Sequence, residues 1–147
     1  LYAKFGITAE AGQLFETELG TLLLCLQAME NGWHFAPDRE KGRAVLLEID
    51  RSTLGRLLRD LKRRVRLEGD LEERLSSALD ARNRLNHGFY ERHNFRIQTD
   101  EGRDEMMADL EALHDELFEA WRIAGAMASL VSSFMARGSG RDPNLDS

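Results

Sequence analysis

Apolar residues recur at Leu14, Phe15, Leu19, Leu22, Leu23, Leu26 and Met29. These spacings of three and four predict a helix over Ala9 to Asn31 with one wide buried face. Thr8, three residues ahead of Ala11, supplies half of a capping box. Asn31-Gly32 ends the helix, and Trp33 to Lys41, with Pro37-Asp38, reads as loop. Arg43 to Asp50 holds Val45, Leu46, Leu47 and Ile49 and fits a short helix or a strand; the lack of a strand partner nearby selects the helix. Ser52 or Thr53 then caps a helix to about Leu67, with Leu54, Leu57, Leu58, Leu61 and Val65 inward. Gly69 closes it and Asp70 opens the next, with Glu72 and Glu73 favourably placed in the first turn.

That next helix carries Leu71, Leu75, Ala78, Leu79, Leu85 and Phe89 on one stripe and ends between His87 and His93. Asn94 to Gln98 is a linker. Thr99 is an N-cap, and Asp100, Glu101, Asp104 and Glu105 suit the positive end of the helix dipole. From there Met106, Leu110, Leu113, Leu117, Ala120, Ala124, Met127, Val131 and Phe134 form a bundle seam. A second stripe, Met107, Phe118, Trp121, Gly125 and Ala128, predicts burial on two sides. The pattern predicts an all-α chain, an antiparallel bundle of four to five helices over residues 1–136. Residues 137–147, rich in Gly, Ser, Asp and Asn, read as a flexible tail.

Composition agrees with one soluble domain. The chain has 147 residues, 42% hydrophobic and 31% charged, with two prolines, which disfavours a turn-rich β fold. A single cysteine, Cys25, excludes an intramolecular disulfide framework and a cysteine zinc cluster. Its setting in Leu22 to Leu26 reads as a small buried hydrophobe. No run reaches the ~20 apolar residues of a membrane span, and Leu1 to Thr8 offers no signal-peptide core. The expectation is a cytoplasmic protein without membrane contact.

The net charge of −6 is unevenly spread. Between Arg51 and Arg66 seven basic residues face Asp60 alone, and Arg82, Arg84, Arg92 and Arg96 gather around the end of the following helix. Acid concentrates in Asp100 to Glu119. One reading is a solvated face whose arginines pair with those carboxylates. The other is a phosphate-binding patch including Arg59 and Arg63.

The stretch with most chemistry is Asp80 to Tyr90. At 100° per residue the leucine stripe passes through position 82, so Arg82 stands where an unpaired guanidinium is costly. Arg84 falls on the solvent side. Asn83 and His87, four apart, share a face, and Asn86 lies one turn from Arg82. On residue types alone this polar patch is a capped helix end with Arg82 in an ion pair, or a ligand site.

Arg82-Asn83-x-x-x-His87 resembles the R-N-x-x-x-H signature of the HEPN superfamily. His87-Gly88-Phe89-Tyr90-Glu91-Arg92-His93 and the opening Tyr2-Ala3-Lys4-Phe5-Gly6 are similar to a group of small bacterial HEPN-like proteins. The resemblance spans Tyr2 to Phe118, but its specific part is the short motif. It implies a helical two-fold dimer with two motif copies across a shared cleft, and an endoribonuclease that needs no metal or other cofactor. Toxins and anti-phage effectors are common among such proteins, so RNA, a second copy and an antitoxin protein are the expected partners. Arg82, Asn83 and His87 would then be catalytic, with Arg59, Arg63, Arg84, Asn86, Tyr90 and Arg92 on the RNA. Phe89 stands where some members carry a tyrosine modified by a partner nucleotidyltransferase, and Tyr90 is one further along, so that control is not implied.

Elementary chemistry fits the implied activity. Five residues along a helix separate Arg82 and His87 by ~140° and ~7.5 Å of rise, so one copy makes a loose pair. Two copies about a two-fold axis can surround one phosphodiester. Histidine suits proton transfer to and from the 2′-hydroxyl and the 5′-oxygen, and the arginine fork suits the phosphorane. Other readings remain open. A di-iron bundle needs two Glu-x-x-His motifs, and only Glu111-x-x-His114 is present. His34 and His93 have no evident partners in the pattern. A non-catalytic HEPN-like module that binds nucleotide or RNA, or dimerises, uses the same residues.

Overall fold

The apolar periodicity is realised entirely as helix. The structure, a computed structural model, describes residues 1–138. It contains α1 (Tyr2–Glu30), α2 (Arg39–Arg51), α3 (Leu54–Arg64), α4 (Leu71–His93) and α5 (Asp100–Gly138), with a 3-10 helix at Asn94–Gln98 between the last two. No strand occurs among the described residues, so the fold is all-α. The expected tail begins at Arg137, but Arg137 and Gly138 close α5 and the rest of it lies outside the described residues.

The chain divides into two compact units, with the division falling inside α1 and α5. The first comprises Leu1–Glu16 and Leu67–Arg122. Its core is built from Phe15 on α1, Leu75, Leu85 and Phe89 on α4, and Met106, Leu110, Leu113 and Leu117 on α5. Its α1 segment starts earlier than the pattern predicts. Thr8 is not a cap: it is fully buried within the helix, and its hydroxyl donates to the Lys4 carbonyl at 2.8 Å. A threonine that can return its hydroxyl bond to its own helix is tolerated inside one.

Asp70 precedes α4 without a side-chain cap bond and instead pairs with Arg74 at 2.9 Å. Ahead of α5, Thr99 behaves as expected, its hydroxyl accepting the Gly102 amide at 2.9 Å. The 3-10 helix is held against α5 by Arg103, which donates to the Ile97 carbonyl at 2.7 Å and pairs with Asp100.

The second unit comprises Thr17–Arg66 and, among the described residues, 123–138. Leu19, Leu22, Leu23 and Leu26 of α1 and Leu54, Leu57, Leu58 and Leu61 of α3 form its core. Gly32, at φ 65°, ends α1 where the left-handed conformation excludes most side chains. The Trp33 amide returns to the Ala28 carbonyl at 2.9 Å, the bond pattern of a Schellman closure.

Asp38 caps α2 by accepting the Lys41 amide at 3.1 Å, which starts that helix at Arg39 rather than Arg43. None of its residues is buried; Leu46 and Leu47 are exposed. Its approach to α1 is through Ile49, whose Cγ2 lies 2.9 Å from where a Cβ on Gly20 would sit. Thr53 caps α3 by accepting the Arg56 amide at 3.2 Å, and α3 stops at Arg64.

The α5 seam follows its predicted period through Ala124 and then shifts to Ala128, leaving Phe134 exposed. Phe118, assigned to a second buried stripe, is also exposed. Cys25 is half-buried rather than buried, its Sγ 3.7 Å from the Ser132 hydroxyl. No described helix is long and apolar enough to cross a membrane.

Candidate functional site

Arg82 is the pivot of the first unit's polar residues. It sits in line with the buried stripe of α4, as the period requires, and its side chain is 24% exposed. Its charge is matched by Glu16 of α1, whose Oε2 accepts from an Arg82 terminal nitrogen at 2.7 Å. The route to Glu16 runs over Gly12. The Arg82 Cγ lies 3.3 Å from where a Cβ on Gly12 would stand, and a Leu117 methyl lies 3.7 Å from the same point. Gly12 and Glu16, four residues apart, share one face of α1. The first leaves room for the arginine stem and the second receives its fork.

Neither Gly12 nor Glu16 is marked by any local motif. An arginine on an apolar stripe predicts that a carboxylate exists, but not which of the chain's acids it is. Glu16→Gln keeps the shape and removes the charge. It is expected to cost roughly 1–2 kcal/mol, a fall of about 3–8 °C in a thermal melt followed by circular dichroism. An unchanged melting temperature would mean that the pair contributes nothing.

Three polar residues that follow Arg82 face outward. Asn83, Asn86 and His87 are all exposed. Asn83 and His87 share a face as expected, but no hydrogen bond joins them among the described residues. Arg84 is not simply solvated: it donates to Asp109 of α5 at 3.1 Å. Arg92 is exposed near the end of the helix. Tyr90 is 42% exposed. Burial, with a smaller effect from Tyr2, pushes its hydroxyl above the ordinary phenol value.

His93, without an evident partner in the pattern, is buried and fully engaged. Its Nε2 lies 2.7 Å from Asp109 Oδ2, and its Nδ1 lies 3.1 Å from an Arg96 terminal nitrogen. Arginine has no acceptor, so Nδ1 must accept and Nε2 must carry the proton. Asp109 thus takes Arg84 on one oxygen and His93 on the other, while Arg96 continues to Glu105 at 3.2 Å. This chain of bonds ties the end of α4 to the first turns of α5. A signal for it existed, since 85, 89 and 93 continue one helical stripe.

The basic residues of α3 lie in the second unit. Arg56, Arg59, Lys62 and Arg63 line a surface hollow of about 460 Å³. Arg63 pairs with Asp60 at 2.9 Å. Arg64 shares Asp60 and also reaches Glu30. Burial works against the Arg64 charge, but hydrogen bonds to both carboxylates outweigh it and hold the guanidinium above its ordinary value. The partners of Arg63 and Arg64 are therefore local acids.

His114 stacks on Phe118 with ring centroids 5.9 Å apart. No group of three or more His, Cys, Asp or Glu side chains is arranged to hold a metal ion among the described residues. Comparison with protein-family models, with curated proteins and with solved structures found no match to this chain.

Proposed function

We propose that this chain is an HEPN-type endoribonuclease that cuts RNA without a metal, at a site completed by a second copy of itself. One observation carries the reading: Asn83, Asn86 and His87 stand exposed on the last turns of α4, directly after an Arg82 held in place by Glu16. An exposed imidazole can transfer a proton, and a fixed guanidinium five residues earlier on the same helix can bind an anion.

In this mechanism His87 of one copy takes the 2′-hydroxyl proton, and the oxygen attacks the adjacent phosphorus. The partner copy's histidine protonates the departing 5′-oxygen. Arg82 meets the charge on the equatorial oxygens, and Asn83 orients His87 or the phosphate. Arg84, Arg92 and Asn86 follow the RNA backbone near the site, and Arg59 and Arg63 offer further phosphate contacts. A role as a toxin or anti-phage effector, checked by an antitoxin protein in the cytoplasm, belongs to the same proposal.

The test is incubation of the purified protein with total RNA in EDTA, beside Arg82→Ala. Degradation by the wild type and a strongly weakened Arg82→Ala are expected. Intact RNA in every lane would overturn the proposal.

A second reading has its own support. The Arg82 charge is already matched by Glu16, which leaves less of it for a phosphorane. A non-catalytic module that binds RNA or dimerises through this surface accounts for that pair. It predicts an RNA complex or a dimer with no loss of RNA.

A further inference from the structure

Beside the polar end of α4 lies an aromatic surface that the cleavage chemistry does not use. Phe89 is buried, its ring 5.7 Å from Phe5 of α1 and 4.7 Å from His93. Tyr90 stands on this floor, 5.3 Å from Phe5 and 5.4 Å from Phe89. Tyr2, one turn before Phe5, is 71% exposed. It shares a face of α1 with Phe5, the ring on which Tyr90 rests. Tyr90 follows Asn86 by four residues and His87 by three, so it neighbours each of them on the helix surface.

Exposing aromatic rings forfeits the stabilisation that burying them would provide. Two exposed tyrosines, Tyr90 against Phe5 and Phe89 and Tyr2 one turn along α1 from Phe5, stand next to exposed polar groups as a recognition surface. Their rings offer flat apolar faces, and their hydroxyls offer hydrogen bonds at the rim.

We propose that Tyr2 and Tyr90 form a stacking shelf for unpaired bases, so that the strand presented to His87 is single-stranded RNA. This rests on the ribonuclease reading of the same site and names its substrate class. Bases within an A-form duplex are stacked on their neighbours and have no free face to lay on the shelf. Bases in loops and single strands do. Stacking uses a face that every base has, so the shelf selects for unpaired RNA with little base preference.

The test uses the full chain carrying His87→Ala, so that the RNA stays whole. The probe is a short single-stranded RNA containing 2-aminopurine, whose fluorescence falls when it stacks. Binding with quenching is expected, together with weaker binding to a duplex of the same sequence. Adding Tyr2→Ala and Tyr90→Ala is expected to weaken binding about tenfold and abolish the quenching. Adding Tyr2→Phe and Tyr90→Phe instead keeps both rings and is expected to retain it.

RNA bound without quenching, quenching that survives loss of both rings, or no binding at all would overturn the shelf. RNA bound without quenching, combined with cleavage by the wild type in EDTA, removes the shelf and leaves the ribonuclease standing. Quenching without any cleavage does the reverse.

Discussion

His87→Ala is expected to lower the rate of RNA cleavage about 10²- to 10⁴-fold, the usual contribution of a positioned general acid or base. The side chain is exposed. It makes no hydrogen bond with Asn83, and its removal opens no cavity. Surface substitutions of this kind leave stability within about 0.5 kcal/mol. The melting temperature and circular dichroism spectrum should therefore match the wild type while activity is lost. In a two-copy site one histidine cannot serve as both base and acid in the same step. Mixing wild type with His87→Ala should then give dimers of one copy each that are as slow as the variant. Full activity in His87→Ala would remove the residue from the mechanism, and loss of activity with loss of fold would assign it to structure.

The largest expected effect on stability lies at the junction of the 3-10 helix and α5. Gly102 is buried, and a Cβ added there would run into the Arg96 backbone, 2.6 Å from its Cα and overlapping its carbonyl oxygen. Backbone cannot rotate aside as a side chain can, so Gly102→Ala must displace the 3-10 helix or the start of α5. Either movement disturbs the Thr99 cap and the Arg103 bond to the Ile97 carbonyl. It also disturbs Arg96, which holds the buried His93. The cost is about 3 kcal/mol by analogy with overpacked cores, or roughly 10 °C in melting temperature. The sign is informative. At an open helical position the same change stabilises by about 1 kcal/mol through helix propensity, so a raised melting temperature would contradict the packing described here.

Much of the fold was legible along the chain, and the failures have physical reasons. Leu54, Leu57, Leu58 and Leu61 are buried as their spacing requires, because a short amphipathic helix with one apolar face has one way to bury it. The α5 seam was legible as far as Ala124. Beyond it the apolar residues are dense enough to fit more than one face, and periodicity cannot say which is covered. For α2 the pattern identified a helix but not that Leu46 and Leu47 would remain exposed. Burial depends on what packs against a helix, which no local window contains.

The candidate site was legible in the same partial way. Arg82 in a leucine stripe demanded a carboxylate, yet Glu16 lies 66 residues away. Gly12, which gives the arginine stem its path, has no signature in a helix of ordinary composition. His93 was within reach of the pattern, and reading it as a helix-end residue hid the continuing stripe. The pattern placed Asn83 and His87 on one face and Asn86 a turn from Arg82, but not that all three would be exposed.

The proposed reaction is cleavage of RNA through its own 2′-hydroxyl by His87 and Arg82. The most direct measurement pairs an unmodified single-stranded RNA with the same RNA fully 2′-O-methylated, both in EDTA, with products read by mass spectrometry. The unmodified strand is expected to be cut to fragments ending in 2′,3′-cyclic phosphate, and the methylated strand to stay whole. Cleavage of the methylated strand, or no cleavage of either until a divalent metal is restored, would contradict it.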